Sequence, residues 1–228
     1  MMLPLALFVA LAAEPPLPSA EEVQLWLTYY YLKPQPTLTL PSLAVMDREL
    51  QKAKGRSLLD EVDRGGMRTF YGHVFAQNET LVTEVAQKLP FLPAGQQAFV
   101  REALRRCGTP TCAQVLRASP SDSVQAPEAE PGTLDDSWAA FFATGDVKYV
   151  REVIEVLPWS EVRGDVNRLL TGGAARWSLA SNAYQHGRVL ALCEEAAAVS
   201  TGATKRLLDE IVAEAKTERA KNPPPEPK

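Results

Sequence analysis

The chain predicts an all-α protein, a repeat-like bundle of stacked helical hairpins. Three observations predict it. Apolar residues recur at three- and four-residue spacing through most of the 228 residues, the period of one helix face. The interruptions are glycine, proline and Asx residues, which stop or cap helices. The alternating stretch Thr37-Leu-Thr-Leu40 is too short to define a strand.

The elements follow in order. Ser19-Ala-Glu-Glu22 has the form of a capping box, opening a helix from Glu21 to Leu32 that Pro34-Gln-Pro36 ends. Pro41 to Lys54 carries Leu43, Met46 and Leu50 at helical spacing, and Gly55 stops it. Residues 56–64 are polar and ambiguous, and Gly65-Gly66 reads as a break. Met67–Gln77 and Glu79–Leu89 are two helices hinged at Asn78, a good N-cap residue. Pro93 opens a helix to Arg106 with Phe99, Val100, Ala103 and Leu104 on one face. A cysteine-bounded turn and a short helix to about Arg117 follow. Leu134–Thr144 and Val147–Leu157 form a hairpin, with Gly145 suited to the left-handed position after a helix and Asp146 capping the next. Ser160 caps a short helix to Leu170, and Gly172-Gly173 turns. Ala174–Val199 is one long helix with Trp177, Ala180 and Tyr184 on one side, and Gly187 is a candidate kink. Thr204 to about Ala220 closes the set.

The ends and one internal stretch divide the chain. Residues 1–13 hold no charge, an apolar run from Leu3 to Leu11 and the small-x-small pattern Ala10-Leu-Ala12. That length is too short for a bilayer's roughly 30 Å core, so it predicts a signal peptide rather than an anchor, and a periplasmic or secreted product. No other segment suits a membrane span. Residues 119–133 contain three prolines and no apolar period, the composition of a linker or long loop. It separates an N-terminal helical half (14–118) from a C-terminal one (134–220). Residues 221–228, rich in proline, have the composition of a disordered tail.

Two segments match without gaps. Phe70–Phe91 and Trp138–Trp159 align Val82, Glu84, Val85, Leu89 and Pro90 with Val150, Glu152, Val153, Leu157 and Pro158. Their hinge residues, Asn78 and Asp146, coincide, as do the closing aromatics. The match predicts a repeated helical hairpin, a unit that stacks to bury a common core and expose grooves.

Tyr30-Tyr-Leu-Lys-Pro-Gln-Pro36, Phe70-Tyr-Gly-His-Val-Phe75 and Trp138-Ala-Ala-Phe-Phe-Ala-Thr-Gly-Asp146 with Tyr149-Val150 resemble a family of exported bacterial helical proteins of unknown function. The resemblance spans roughly residues 25–199. It implies export and a helical fold, and it carries no activity.

Composition narrows the chemistry. The net charge of −4 argues against nucleic-acid binding, which needs a basic stripe. No Gly-rich phosphate loop, HExxH, GxSxG or paired Cys/His ligand set is present, so no cofactor and no metal is expected. Cys107-Gly-Thr-Pro-Thr-Cys112 fits a disulfide-closed turn in an oxidising compartment. A redox centre of CxxC type has the wrong spacing, and a zinc site would need histidines that show no ligand spacing. Cys193 lies in an Ala/Leu-rich helix as a small hydrophobe. His73 and His186 are the bases available at neutral pH, and both sit among aromatics. Asp135-Asp136 open a helix, where acids favour its dipole.

Trp26 and Tyr29-Tyr30-Tyr31 stand out, because three consecutive aromatics on a helix point roughly 100° apart and cannot share one core. Candidate binding residues are Trp26, Tyr29, Tyr30, Tyr31, His73, Trp138 and Tyr184. The reading they suggest is a non-catalytic module holding a protein partner in an aromatic groove. An inhibitor or immunity-type protein is the alternative, marked by an acidic face. An enzyme using His73 or His186 with a carboxylate is a third.

Overall fold

The structure, a computed structural model, describes residues 16–54, 65–118 and 134–224. The expected signal peptide, the ambiguous 56–64 segment and the 119–133 linker lie outside them. Among the described residues there are eleven α-helices and no strand. In the N-terminal half these are α1 (Ala20–Tyr29), α2 (Thr39–Lys54), α3 (Gly65–Ala76), α4 (Glu79–Lys88), α5 (Ala94–Cys107) and α6 (Pro110–Ala118). The C-terminal half has α7 (Leu134–Thr144), α8 (Val147–Val156), α9 (Val166–Gln185), α10 (Gly187–Val199) and α11 (Gly202–Lys221). Short 3-10 turns sit at Pro36–Leu38, Leu89–Phe91 and Leu157–Glu161.

Local chemistry explains many boundaries. The Ser19 hydroxyl accepts from Glu22 N, and Ser19 N donates to the Glu22 carboxylate at 2.7 Å, a complete capping box. After α1, the Trp26 indole N–H donates to Gln35 O at 3.0 Å and holds the proline-bounded loop against the helix. Gly145 has φ +69, the left-handed conformation that lets α7 turn sharply into α8. Asp146 then accepts from Lys148 N at 3.0 Å. Cys107 ends α5, Cys112 lies in the first turn of α6, and the two are bonded with Cα atoms 6.3 Å apart. The Thr109 hydroxyl accepts from Cys112 N and caps α6 between them.

Two apolar clusters make the core, one per half, and they meet at α7. Ala139 and Ala143 turn to the N-terminal cluster, while Trp138 and Phe141 belong to the C-terminal one. Phe142 packs against both. Small residues on that face let α3 and α7 lie close together. Polar pins hold both ends of the contact: the Thr69 hydroxyl donates to Asp136 at 2.5 Å, and the Gln77 amide donates to Ala143 O at 3.3 Å.

Five local expectations need correction. Gly65 and Gly66 are the first turn of α3 rather than a break. Gly66 earns its place by packing: a Cβ there would stand 3.0 Å from Asp135 O. Ser160 caps nothing, since its hydroxyl donates to Leu157 O within a 3-10 turn, and Asp165 caps α9 by accepting from Arg168 N. Gly172 and Gly173 lie inside α9 instead of turning. The long helix expected over 174–199 is interrupted at His186, whose extended backbone (φ −117, ψ 112) separates α9 from α10. Its ring is drawn among aromatics of other elements, and that tertiary contact overrides local helix propensity. Asn78 makes no side-chain cap; its amide donates back to Val74 O at 2.6 Å.

The paired segments share their element sequence. Each runs helix, hinge, helix and then a 3-10 turn at Leu-Pro-aromatic. Val82, Val85 and Leu89 are buried, as are Val150, Val153 and Leu157. The packing differs, because α7 lies along α8 whereas α3 packs chiefly on α5 and α7, and α4 on α6.

Candidate interaction surface

The aromatic candidates are taken up by packing. Trp26, Tyr29, Tyr30 and Trp138 are buried. Tyr30 and Trp26 stack edge-on with Phe70 in the N-terminal core. Tyr31, half-buried, turns the other way, with its ring centroid 4.9 Å from Phe141. The roughly 100° spread of the three tyrosines therefore lets the end of α1 serve both halves. Most of these rings serve the packing of the two halves, while Trp26 and Tyr29 also edge a surface groove of about 500 Å³ with Leu25, Lys33 and Leu38. Trp138 edges a smaller one of about 330 Å³ with Leu27, Met67 and Phe142.

The histidines have separate surroundings. His73 on α3 meets Tyr149 of α8 edge-on, and burial, with Lys148 nearby, holds its pKa below the ordinary value. His186 is 2% exposed, between Tyr29, Tyr31 and Phe142. Burial, reinforced by Arg219, pushes it down to about 4. Such an imidazole is neutral, screened from solute and far from the neutral-pH range that suits a general base. Among the described residues no group of three or more His, Cys, Asp or Glu is placed to hold a metal ion. No described helix is long and apolar enough to cross a membrane.

The exposed chemistry lies on α9. This helix presses its inner face, Ala175, Leu179 and Ala183, into the C-terminal core. Gly172 brings it against the 3-10 turn after α8, where a Cβ would stand 2.0 Å from Ser160 N. The opposite face carries Val166 (67% exposed), Leu170 (66%) and Trp177 (75%), with Leu169 (43%) beside them. At about 100° per residue, Val166, Leu170, Gly173 and Trp177 fall within an arc of roughly 60°, along about 16 Å of helix. Ala180 and Tyr184 continue the line, and the Tyr184 hydroxyl donates to Asn222 O.

No charged residue falls in this arc. The nearest cation of α9 stands beside its edge, Arg176 paired with Glu210 at 2.9 Å. Single exposed leucines are ordinary, but a contiguous apolar stripe marks a contact site. Of the residues expected to bind, Tyr184 alone lies on this stripe. Val166, Leu169 and Leu170 escaped sequence reasoning because a turn assigned at Gly172-Gly173 cut the stripe in two. The spacing of Val166, Leu170, Gly173 and Trp177 was the signal that joins them. Comparison with family models, with curated proteins and with solved structures gives no match.

Proposed function

We propose that the chain is an exported, non-catalytic helical module that docks another protein on the outward face of α9. The observation that carries the reading is the exposed Val166, Leu170 and Trp177 stripe. Water must order around this surface in the free chain, and covering it releases that cost in proportion to apolar area. Trp177 has the character of an interface anchor, large, rigid and prominent, with a polar rim at Arg176. Export is supported by the uncharged, apolar stretch before Glu14, and by Cys107 and Cys112 standing within bonding distance.

Affinity capture from the cell envelope fraction, with the wild-type chain and Trp177→Asp as baits, tests the docking. A protein retained by the first and lost with the second supports it. Equal capture by both, or none, overturns it. Fractionation with N-terminal sequencing tests export: a periplasmic or secreted product should begin at Ala13 or Glu14, and a cytosolic product beginning at Met1 overturns that half.

A further inference from the structure

The outward face of α9 can be laid antiparallel on a copy of itself with large groups meeting small ones. Val166 and Trp177 are equidistant from a point between Thr171 and Gly172, as are Leu170 and Gly173, and all four lie in the exposed arc. An antiparallel copy laid on this face sets Trp177 over Val166 and Leu170 over Gly173, a large group against a smaller one at each level. Nothing stands within 4 Å of where a Gly173 Cβ would be, so the glycine is an open notch on an exposed surface. We propose that the partner is a second copy of this chain, joined through a two-fold, antiparallel α9–α9 contact. The proposal rests on the docking reading above and names its occupant.

Three physical arguments favour a second copy over a foreign chain. A two-fold contact requires a self-complementary surface, and a foreign partner needs no such symmetry. The arc carries no charge, so two copies meet without the like-charge repulsion that a charged patch would impose on itself. The area is also suited to self-association. The exposed fractions of Val166, Leu169, Leu170 and Trp177 correspond to on the order of 450 Å² of apolar surface per copy, within the range of functional patches on monomers. With its polar edges the pair would bury about 1,000–1,300 Å², the size of a weak, reversible dimer.

Sedimentation of the full chain at concentrations of about 1–200 μM, bracketing a micromolar affinity, tests this. The mass should double as concentration rises, and Trp177→Asp should remain monomeric with an unchanged circular-dichroism melt. Register is tested with Leu170→Cys and Val166→Cys, each alone with a short bis-maleimide, since the antiparallel register sets Leu170 about 4.5 Å along the axis from its copy and Val166 about 16 Å. Leu170→Cys should cross-link and Val166→Cys should not, and Cys193, being buried, should stay out of the product. A chain monomeric throughout overturns the self-pairing, as does a dimer that survives Trp177→Asp. Equal cross-linking of Val166→Cys overturns the antiparallel register. If the chain is monomeric yet Trp177→Asp still loses a captured protein, the self-pairing falls and the docking reading stands. If neither assay responds to Trp177→Asp, both fall.

Discussion

The Tyr31 hydroxyl lies 3.1 Å from Nδ1 of His186, joining the end of α1 to the junction of α9 and α10 across 155 positions of sequence. The other ring nitrogen of His186 has no hydrogen-bond partner among the described residues. Protonation would place a charge among Tyr29, Tyr31 and Phe142, close to the Arg219 guanidinium that donates to Tyr184 O.

This arrangement makes stability depend on pH. His186 is held at about 4 against an ordinary value of 6.5, so between those values the unfolded chain takes up a proton that the folded chain refuses. Its contribution is complete above pH 6.5 and declines as pH falls towards 4, by on the order of 3 kcal/mol in all. Urea unfolding of wild type and His186→Gln at several pH values from 4 to 7 measures it. The variant should show a shallower slope; equal slopes would assign the acid sensitivity to other groups.

Gly172 should tolerate no side chain. With Ser160 N 2.0 Å and Trp159 C 2.3 Å from a built Cβ, Gly172→Ala must part α9 from the turn beneath it. The loss should reach or exceed the roughly 1–3 kcal/mol of an overpacked core. Gly173→Ala, one residue on and facing open space, should be neutral or slightly stabilising through helix propensity. Paired denaturant curves separate the two.

Asp146 and Asn78 occupy matched hinges yet act differently. Asp146→Ala should cost about 1 kcal/mol as a lost cap, independent of any distant substitution. The Asn78 side chain instead hydrogen-bonds Tyr30 and the Val74 carbonyl. Asn78→Ala should therefore couple to Tyr30→Phe in a double-mutant cycle, by about 0.5–1.5 kcal/mol. Additive losses at that pair would reject the assignment.

Leu157→Ala should cost about 2–5 kcal/mol, because the side chain is wholly buried. Phe91, 87% exposed although it closes the matching segment, should be replaceable by alanine within about 0.5 kcal/mol. Thermal melts of the two variants suffice, and a costly Phe91→Ala would mean that the aromatic is covered in solution.

The cysteines should divide cleanly by mass spectrometry under non-reducing conditions. Cys107 and Cys112 should appear as a pair. Cys193, whose thiol burial pushes up to about 12, should resist alkylation until the chain unfolds. So short a loop limits the stabilisation to below the roughly 3 kcal/mol of a 15-residue loop. Alkylation of Cys107 in the untreated protein would count against the bond.

Periodicity and capping chemistry made most helices legible. Ser19 with Glu22, Gly145 with Asp146 and the cysteine turn each act within a few residues, where sequence is informative. What escaped depends on contacts between distant segments. Gly172 resembles a turn until another backbone is laid against it, and His186 resembles mid-helix until three rings gather around it. The same limit governs the surface. Trp26, Tyr30 and Trp138 are as aromatic as Trp177, and nothing in composition tells which of them the fold covers.

The split allegiance of α1 has a consequence for the order in which the chain can assemble. Tyr30 can settle against Phe70 early, since both lie in the first third of the sequence. Tyr31 must wait for Phe141 and His186, which arrive much later in synthesis. Loop closure over such separations is slow relative to local helix formation. The first of the described helices to be made is therefore among the last to be finished, and the two halves should lock in one late, cooperative step rather than fold as independent bodies.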